Sequence, residues 1–306
     1  MSMIERWPLT QGLLGGDWIW PIEHQVYLML DGVRVPELPR KLYEWSDGRL
    51  NADLLYAGTP WAEVKDVSPW LVQLAGHDDP VLQHFLEEGL EGEWGYLMAC
   101  QADLGETADH LKSLIQVRHP ANVPMLLRLA DPAVITALLT EGSSSSQLPW
   151  GPIEQLIVPD AVSGEWRSWS PESSTALPPK IDPTGYQLTE TQVQRLKTCD
   201  LRRDIRHLMG FVDEYCPGWL LISSDAERYA RLAEIVHQGR EMGFSSLREW
   251  GLLCTLMARL QVTSLDMALL PDGVHTPLLD TSQNSGLARL KAALAAVPTG
   301  QPNATT

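Results

Sequence analysis

The sequence has few basic residues, only 3 phenylalanines and no long hydrophobic run. Its 23 Lys and Arg are outnumbered by 39 Asp and Glu, which gives a formal net charge of −16. A field of this sign repels phosphate backbones and anionic lipid surfaces, so we expect neither nucleic acid nor a membrane as a partner. The acidic balance leaves two interpretations open, ordinary solubility or a basic protein partner.

Signals for export or membrane insertion are also missing. No apolar run approaches the roughly 20 residues of a membrane span, and Met1 to Trp20 lacks the basic and apolar regions of a signal peptide. The four cysteines lie far apart and form no Cys-x-x-Cys pair, so we expect reduced, mostly buried thiols. These absences predict a cytoplasmic protein.

Motifs for nucleophilic catalysis are absent as well. The chain contains no Gly-x-Ser-x-Gly elbow, and the glycines from Gly12 to Gly16 lack the strand and the Lys-Ser/Thr of a phosphate-binding loop. The nearest candidate set is Cys199, His207 and Cys216. Their spacing is poor because His207 lies eight residues from Cys199, more than two helical turns along. We therefore expect no catalytic residues.

Metal-binding patterns fare no better. His77 and His84 are separated by the helix start at Asp79-Pro80, and the other histidines are scattered singly. Four glutamates around Gly89 are typical of a solvated helix end, although a cation or a basic partner is the alternative. We expect no metal and no cofactor.

Alternating strands and short helices are predicted over residues 20–169, which favours a mixed sheet with helices packed on it. Asp79-Pro80 and Asp131-Pro132 each supply an N-cap followed by proline at the first helical position. Strands are predicted at 25–30, 54–57, 68–74, 94–99, 115–118, 125–129, 153–158 and 166–169. Helices are predicted at 37–45, at 104–114 and after each Asp-Pro pair, with Gly89 and Gly142 as stops.

A Pro- and Ser-rich stretch at residues 170–186 is typical of a linker, and we place a domain boundary inside it. The helical period begins beyond it, over residues 187–296, with capping boxes at Thr189–Gln192, Ser224–Glu227 and Ser246–Glu249. A short helix is expected at 265–270 and a last one at 287–294, before a disordered tail at 297–306. The predicted fold class is α+β, a mixed sheet lobe followed by an all-helical lobe.

Two residue types suggest binding. The 12 tryptophans supply large rings with an N–H group, which suit interfaces as well as cores. Arg128 interrupts an apolar run and must reach solvent or meet a carboxylate, because an unpaired buried cation is costly. It either braces the sheet by pairing with Asp131 or Asp31, or it grips oxygen atoms of a partner.

Five segments of the sequence resemble, in order and spacing, the family called domain of unknown function 4123. The resemblance covers residues 23 to about 158, and residues 188–260 resemble the looser C-terminal lobe of the same proteins. The matching segments are Val26-Tyr-Leu-Met-Leu-Asp-Gly32, Val67-Ser-Pro-Trp-Leu-Val-Gln-Leu74, Trp94-Gly95, Val117-Arg118 and Leu127-Arg-Leu-Ala-Asp-Pro-Ala-Val134.

This family is typical of the Tap or Tec adaptors of type VI secretion. The resemblance implies a non-enzymatic chaperone that binds a secreted effector, through the effector's N-terminal or spike-tip segment, and helps load it on a VgrG-like spike protein. A structural component of the secretion machine and an enzyme remain as alternatives. The residues that we expect at the effector-binding site are Asp31, Trp70, Trp94, Arg118, Arg128, Asp131 and Trp250.

Overall fold

A computed structural model describes residues 4–14, 18–139, 149–171, 185–222, 224–265, 270–280 and 285–297. The chain divides into two compact units, Met1–Cys199 and Asp200–Thr306. Strands and helices make up the first unit and helices the second, which confirms the α+β prediction. The predicted linker falls mostly on residues 172–184, and the predicted tail mostly on residues 298–306. Both of these stretches lie outside the described residues.

In the described part of the first unit, ten strands form two sheets. In chain order they are β1 Ile4–Pro8, β2 Gln25–Leu30, β3 Ala52–Leu54, β4 Trp70–Leu74, β5 Gly95–Cys100, β6 Gln116–Arg118, β7 Pro124–Leu126, β8 Ile153–Asp160, β9 Glu165–Trp169 and β10 Tyr186–Gln187. The larger sheet has seven strands in the order β1-β9-β8-β5-β2-β4-β3, and the smaller has three in the order β10-β6-β7.

The pairing refines the prediction of a mixed sheet. Every described pairing in the seven-stranded sheet is antiparallel. The mixed sheet is the small one, where β10 runs parallel to β6 and β7 runs antiparallel to it. Strand direction depends on connections that sequence periodicity does not report, which is why the pattern alone left it open.

Strand β2, an interior strand of the large sheet, is buried on both faces. Because side chains alternate along a strand, Tyr27 and Met29 pack into one hydrophobic cluster, while Val26, Leu28 and Leu30 pack into another. Two layers of core therefore cover the sheet. This burial explains why the strand is a continuous apolar run rather than an alternating one.

The described residues also form ten α-helices. In order they are α1 Leu38–Trp45, α2 Pro80–His84, α3 Leu90–Gly92, α4 Leu104–Ile115, α5 Pro132–Leu139, α6 Glu190–Tyr215, α7 Asp225–Glu241, α8 Leu247–Leu260, α9 Asp272–Leu279 and α10 Gly286–Ala296. Helix α6 begins in the first unit and ends in the second.

The predicted helix caps are present. The carboxylate of Asp79 accepts a hydrogen bond from the Val81 N–H at 2.9 Å, and Asp131 accepts one from the Ala133 N–H at 3.0 Å. Ser246 caps α8 with the full capping box. These caps satisfy backbone donors that a helix leaves free at its first turn.

Some predicted boundaries were wrong. Gly89 does not stop the helix after Asp79, because residues Phe85–Gly89 form a π-helical turn that leads into α3. A Cβ at Gly89 would lie 2.7 Å from the Phe85 ring, so this glycine serves close packing. Strand β7 ends at Leu126 rather than at residue 129. The helix predicted at 265–270 falls largely outside the described residues, and the sequence reading missed α9, which contains a proline.

The four cysteines are free and buried, as predicted. Burial raises the pKa of the Cys100 thiol to about 12 and also raises the pKa values of Cys216 and Cys254. A thiol must lose its proton to act as a nucleophile, so these side chains are poor candidates for catalysis. No helix among the described residues is long and apolar enough to cross a membrane.

Candidate protein-binding pocket

An apolar pocket of about 330 Å³ opens on the first unit. One wall comes from the short 3-10 helix Ala62–Val67 and from Val33, which follows β2. The opposite wall comes from the end of β7 and the residues just after it, Arg128 to Ala130. The volume lies at the lower end of the range for pockets that accept a small molecule or a few side chains.

Three valines line this pocket with much of their surface in solvent. Val33 is 53%, Val64 45% and Val67 41% exposed. Single exposed apolar side chains are ordinary, but a group of them around one concave opening is typical of a binding site. Burial of these side chains by a partner would therefore remove apolar surface from water.

An ion pair forms the polar edge of the pocket. The guanidinium Nη2 of Arg128 donates to Oδ2 of Asp31 at 2.6 Å. The Asp31 side chain is only 6% exposed and that of Arg128 is 27% exposed. Asp31 is fixed further because its Oδ1 accepts the Val33 N–H at 2.8 Å. Of the two partners left open for Arg128, the structure selects Asp31.

The second predicted aspartate has a different partner. Asp131 is buried, caps α5, and lies 4.0 Å from Nη2 of Arg34. Two carboxylates and two arginines thus surround the point where β2 ends and α5 begins. Each buried carboxylate has an arginine beside it, which offsets part of the cost of burying its charge.

Hydrogen bonds from side-chain hydroxyl groups stabilise both walls of the pocket. The Tyr96 hydroxyl, fully buried, donates to the Leu129 carbonyl at 2.9 Å. On the other wall, the Ser68 hydroxyl accepts the Tyr56 N–H at 3.0 Å and donates to the Pro69 carbonyl at 2.9 Å. These bonds give the walls a defined shape before any partner binds.

Tyr56 contributes a neutral side chain to the lining. Burial raises the pKa of its hydroxyl, the nearby Asp31 carboxylate raises it further, and Arg128 lowers it. The net direction is upward, so the phenol keeps its proton at neutral pH. Tyr56 is therefore suited to contact and hydrogen bonding rather than to proton abstraction.

Glycines in the matched segments have structural roles. A Cβ at Gly32 would lie 2.3 Å from the Ser68 carbonyl oxygen, and one at Gly95 would lie 1.7 Å from the Met29 carbonyl oxygen. Close backbone contact therefore requires glycine at both positions. Gly32 thereby allows the residue after Asp31 to lie against the Ser68 backbone.

The remaining predicted residues do not line the pocket. Trp70 and Trp94 pack against the cluster that also contains Leu28 and Leu30. Trp94 stacks on Trp45 with ring centroids 6.0 Å apart. Arg118 ends β6, where its carbonyl accepts the Leu188 N–H.

Trp250, predicted to contact an effector, is instead a core residue of the second unit. It is 4% exposed, and its indole N–H donates to the Phe244 carbonyl at 2.9 Å. The pocket gathers only Asp31 and Arg128 from the predicted set, with Asp131 nearby.

Sequence reasoning missed the apolar lining. Trp61, Val64 and Val67 lie three residues apart, between the charged residues Glu63, Lys65 and Asp66. All three side chains line the pocket, although the 3-10 stretch is kinked at Val64, whose backbone dihedrals are not helical. A search for a period of three would have found this wall.

A larger cavity of about 450 Å³ lies elsewhere on the first unit, beside the end of β4. Polar side chains such as Arg49, Asn51 and Gln73 contribute to its lining. Asn51 and Gln73 already hydrogen-bond to each other. We favour the smaller pocket because its apolar walls and buried ion pair are better suited to a protein partner.

Within the described residues, no group of three His, Cys, Asp or Glu side chains is placed to bind a metal ion. The candidate set of Cys199, His207 and Cys216 also lacks a reactive thiol. Cys199 is buried, and its Sγ donates to the Ala133 carbonyl at 3.3 Å. The pocket itself combines exposed apolar side chains with one ion pair.

Comparisons with known proteins identify similar sequences. Residues 26–148 match the family described as domain of unknown function DUF4123, as the resemblance predicted. The chain is also 28% identical over 275 residues to "Accessory protein VasW" of Vibrio cholerae serotype O1, which covers 89% of this chain and 87% of that protein. No solved structure matches. All the residues that line the pocket lie between Asp31 and Ala130, inside the matched region.

Proposed function

We propose that this chain, whose residues 26–148 form a DUF4123 domain, is a non-enzymatic chaperone or adaptor for a type VI secretion effector. It binds the effector in the cytoplasm and helps load it on a VgrG-like spike protein. The likeness to a protein named as an accessory protein supports an accessory role. The family resemblance implies that this role belongs to type VI secretion.

The observation that supports binding most strongly is the pocket itself. Its exposed valines surround an apolar opening, and a buried ion pair closes one edge. Burying one large apolar side chain of a partner here would contribute about 2 kcal/mol. Because the walls are already hydrogen-bonded, little ordering would be needed on binding.

We assign spike recognition to the second unit. A cavity of about 340 Å³ lies there, lined in part by Trp219, Leu220 and Arg231. Leu221, beside it, is 88% exposed. A separate surface would let the effector and the spike bind at the same time.

The proposal is tested by co-purifying the chain with the effector encoded beside its gene. We expect a one-to-one complex on size exclusion. Val64→Asp should weaken effector binding at least about tenfold, because binding would desolvate an unpaired carboxylate. Leu221→Asp is the matched control, since it places the same charge on an exposed apolar position of the second unit.

The two variants should separate the two roles. Leu221→Asp should leave the effector's affinity unchanged and reduce recruitment of the spike protein. Circular dichroism should show both variants folded. Separate elution of the wild-type chain and the effector would contradict the proposed function.

A further inference from the structure

One wall of the pocket is the outer edge of a sheet. Among the strands that the structure describes, β7 pairs only with β6, and its last residue, Leu126, lines the pocket. An unpaired strand edge carries free N–H and C=O groups that can pair with another strand. The direction in which the groups of Leu126 point therefore matters.

The hydrogen bonds of the hairpin define that direction. His119 N–H donates to the Val123 carbonyl and Leu127 N–H donates to the Ile115 carbonyl, each at 2.8 Å. In an antiparallel pair, successive residues point their backbone groups alternately toward the partner strand and away from it. Val123, Met125 and Leu127 therefore face β6, and the N–H and C=O of Leu126 face outward.

Those outward groups have no other backbone partner in the part of the chain that the structure describes. Pro124, one step back on the same edge, has no N–H to offer. Pairing along this edge is thus possible at Leu126 and ends at Pro124.

Arg128 extends the same edge. One guanidinium nitrogen is bonded to Asp31, and among the described residues the other two make no hydrogen bond, while 27% of the side chain is exposed. The pair is neutral as a whole, so a second carboxylate would compete with Asp31. A neutral backbone carbonyl is the better acceptor, because it adds a hydrogen bond without displacing that carboxylate.

We propose that the partner contributes an extended segment that adds to β7 as a fourth strand of the small sheet. Its backbone pairs with the N–H and C=O of Leu126, one carbonyl accepts from Arg128, and an uncharged apolar side chain enters the pocket. Main-chain bonds and an apolar pocket together are the basis of strand addition in peptide recognition. This inference rests on the proposed function and specifies the chemistry of the bound segment.

The test uses the full-length chain and the full-length effector encoded beside it. Residue-resolved amide hydrogen exchange by NMR reports the pairing directly. In the free chain the Leu126 amide should exchange quickly, while those of Met125 and Leu127 are protected by β6. In the complex, exchange at Leu126 should slow by at least about tenfold.

Two variants of Leu126 separate its backbone from its side chain. Leu126→Ala keeps the N–H and removes the side chain, whereas Leu126→Pro removes both. Proline is tolerated on an edge strand where the N–H faces outward, so both variants should keep the fold. We expect Leu126→Pro to bind about tenfold more weakly than Leu126→Ala, as the loss of one backbone hydrogen bond predicts.

The outcomes distinguish this inference from the proposed function. Suppose that the effector binds, that Val64→Asp weakens this binding, and that the Leu126 amide gains no protection from exchange. Strand addition is then wrong and the proposed function stands. Equal affinities of two folded Leu126 variants would overturn strand addition in the same way. If Leu126→Pro does not fold, the exchange measurement on the wild-type chain still decides. An effector that does not bind the wild-type chain overturns both.

Discussion

In the first unit a buried aspartate pairs with an arginine 97 residues away along the chain, whereas in the second unit Arg231 pairs with Glu234 only three residues away. The first pair lies at the edge of a pocket, and the second lies exposed on a helix. The tryptophans of the two units also differ in their location. Trp61 lines the pocket of the first unit, while Trp250 is sealed in the helical core.

The difference teaches where a binding site can form in this chain. Helices satisfy their backbone groups locally, so α7 and α8 need little more than caps and an apolar stripe. Sheet strands must find partners far away, and their ends bring together loops that are distant in sequence. The pocket lies at such a meeting of strand ends.

The largest expected effect tests close backbone packing. Gly95→Ala should destabilise the first unit by about 4 kcal/mol or more, because a Cβ there would lie 1.7 Å from the Met29 carbonyl oxygen. Gly210→Ala, in α6, should instead stabilise the chain by up to about 1 kcal/mol, because alanine favours a helix over glycine. Nothing lies within 4 Å of a Cβ at Gly210.

Urea unfolding followed by circular dichroism measures both changes. Hydrogen exchange mass spectrometry then assigns each change to a unit. A Gly95→Ala chain as stable as the wild type would contradict this expectation. It would mean that β2 and β5 do not lie as close together at Gly95 as the structure shows.

The next effect compares the two ion pairs. Asp31→Ala should cost about 3 kcal/mol, because it leaves Arg128 without its partner and the Val33 N–H without its acceptor. Glu234→Ala should cost at most about 0.5 kcal/mol, because exposed helical pairs contribute little.

Thermal unfolding of the two variants gives the ranking. Raising the salt concentration should reduce the small effect of Glu234→Ala and change the large effect of Asp31→Ala much less, because exposed charges are the more strongly screened. Equal destabilisation by the two substitutions would show that burial does not determine how much each ion pair contributes to stability.

These differences also explain what the sequence could predict. The Asp-Pro caps, the Ser246 box and the apolar stripe of α8 are local signals, and each was present where expected. The Asp31–Arg128 pair was one of two alternatives, because nothing in the sequence ranks a partner 97 residues away above one three residues away. Arg128 lies in no strand, because β7 ends at Leu126.

The binding site was harder to predict than the fold for a related reason. Trp70, Trp94 and Trp250 were expected at the binding site, and each is packed against a hydrophobic cluster. Aromatic residues are common in both cores and interfaces, so type alone does not distinguish the two. No sequence motif marks the valines that line the pocket, and they come together only in the folded chain.

The smallest effect concerns pH. Burial lowers the pKa of His110 in the first unit below its ordinary 6.5, although the Pro149 carbonyl raises it in part. Below pH 6.5 the unfolded chain binds a proton that the folded chain resists, so stability falls as the pH drops toward the lowered pKa. The first unit should therefore begin to lose stability below pH 6.5.

The second unit should lose stability only at a lower pH. Burial alone would raise the pKa of Glu249, but hydrogen bonds from the Ser246 hydroxyl and from the N–H groups of Ser245 and Ser246, with Arg289 nearby, lower it below 4.5. Stability from this carboxylate is present above pH 4.5 and is lost as the pH falls through the lowered pKa.

Hydrogen exchange between pH 7 and pH 4, corrected for its intrinsic pH dependence, checks this order. Helix α4, which contains His110, should lose protection at a higher pH than α8. His110→Gln should remove the loss that begins near pH 6.5. Simultaneous loss in both helices would contradict the assignment to these two groups.

The central claim is that the first unit binds the effector at its apolar pocket, and site-specific photo-crosslinking tests it most directly. A benzoyl-phenylalanine at Val64 or at Leu221 is irradiated in the full-length chain bound to the neighbouring effector, and cross-linked peptides are identified by mass spectrometry. We predict cross-links to one extended apolar segment of the effector from position 64 and none from position 221. Cross-links from position 221 with none from position 64 would contradict the account.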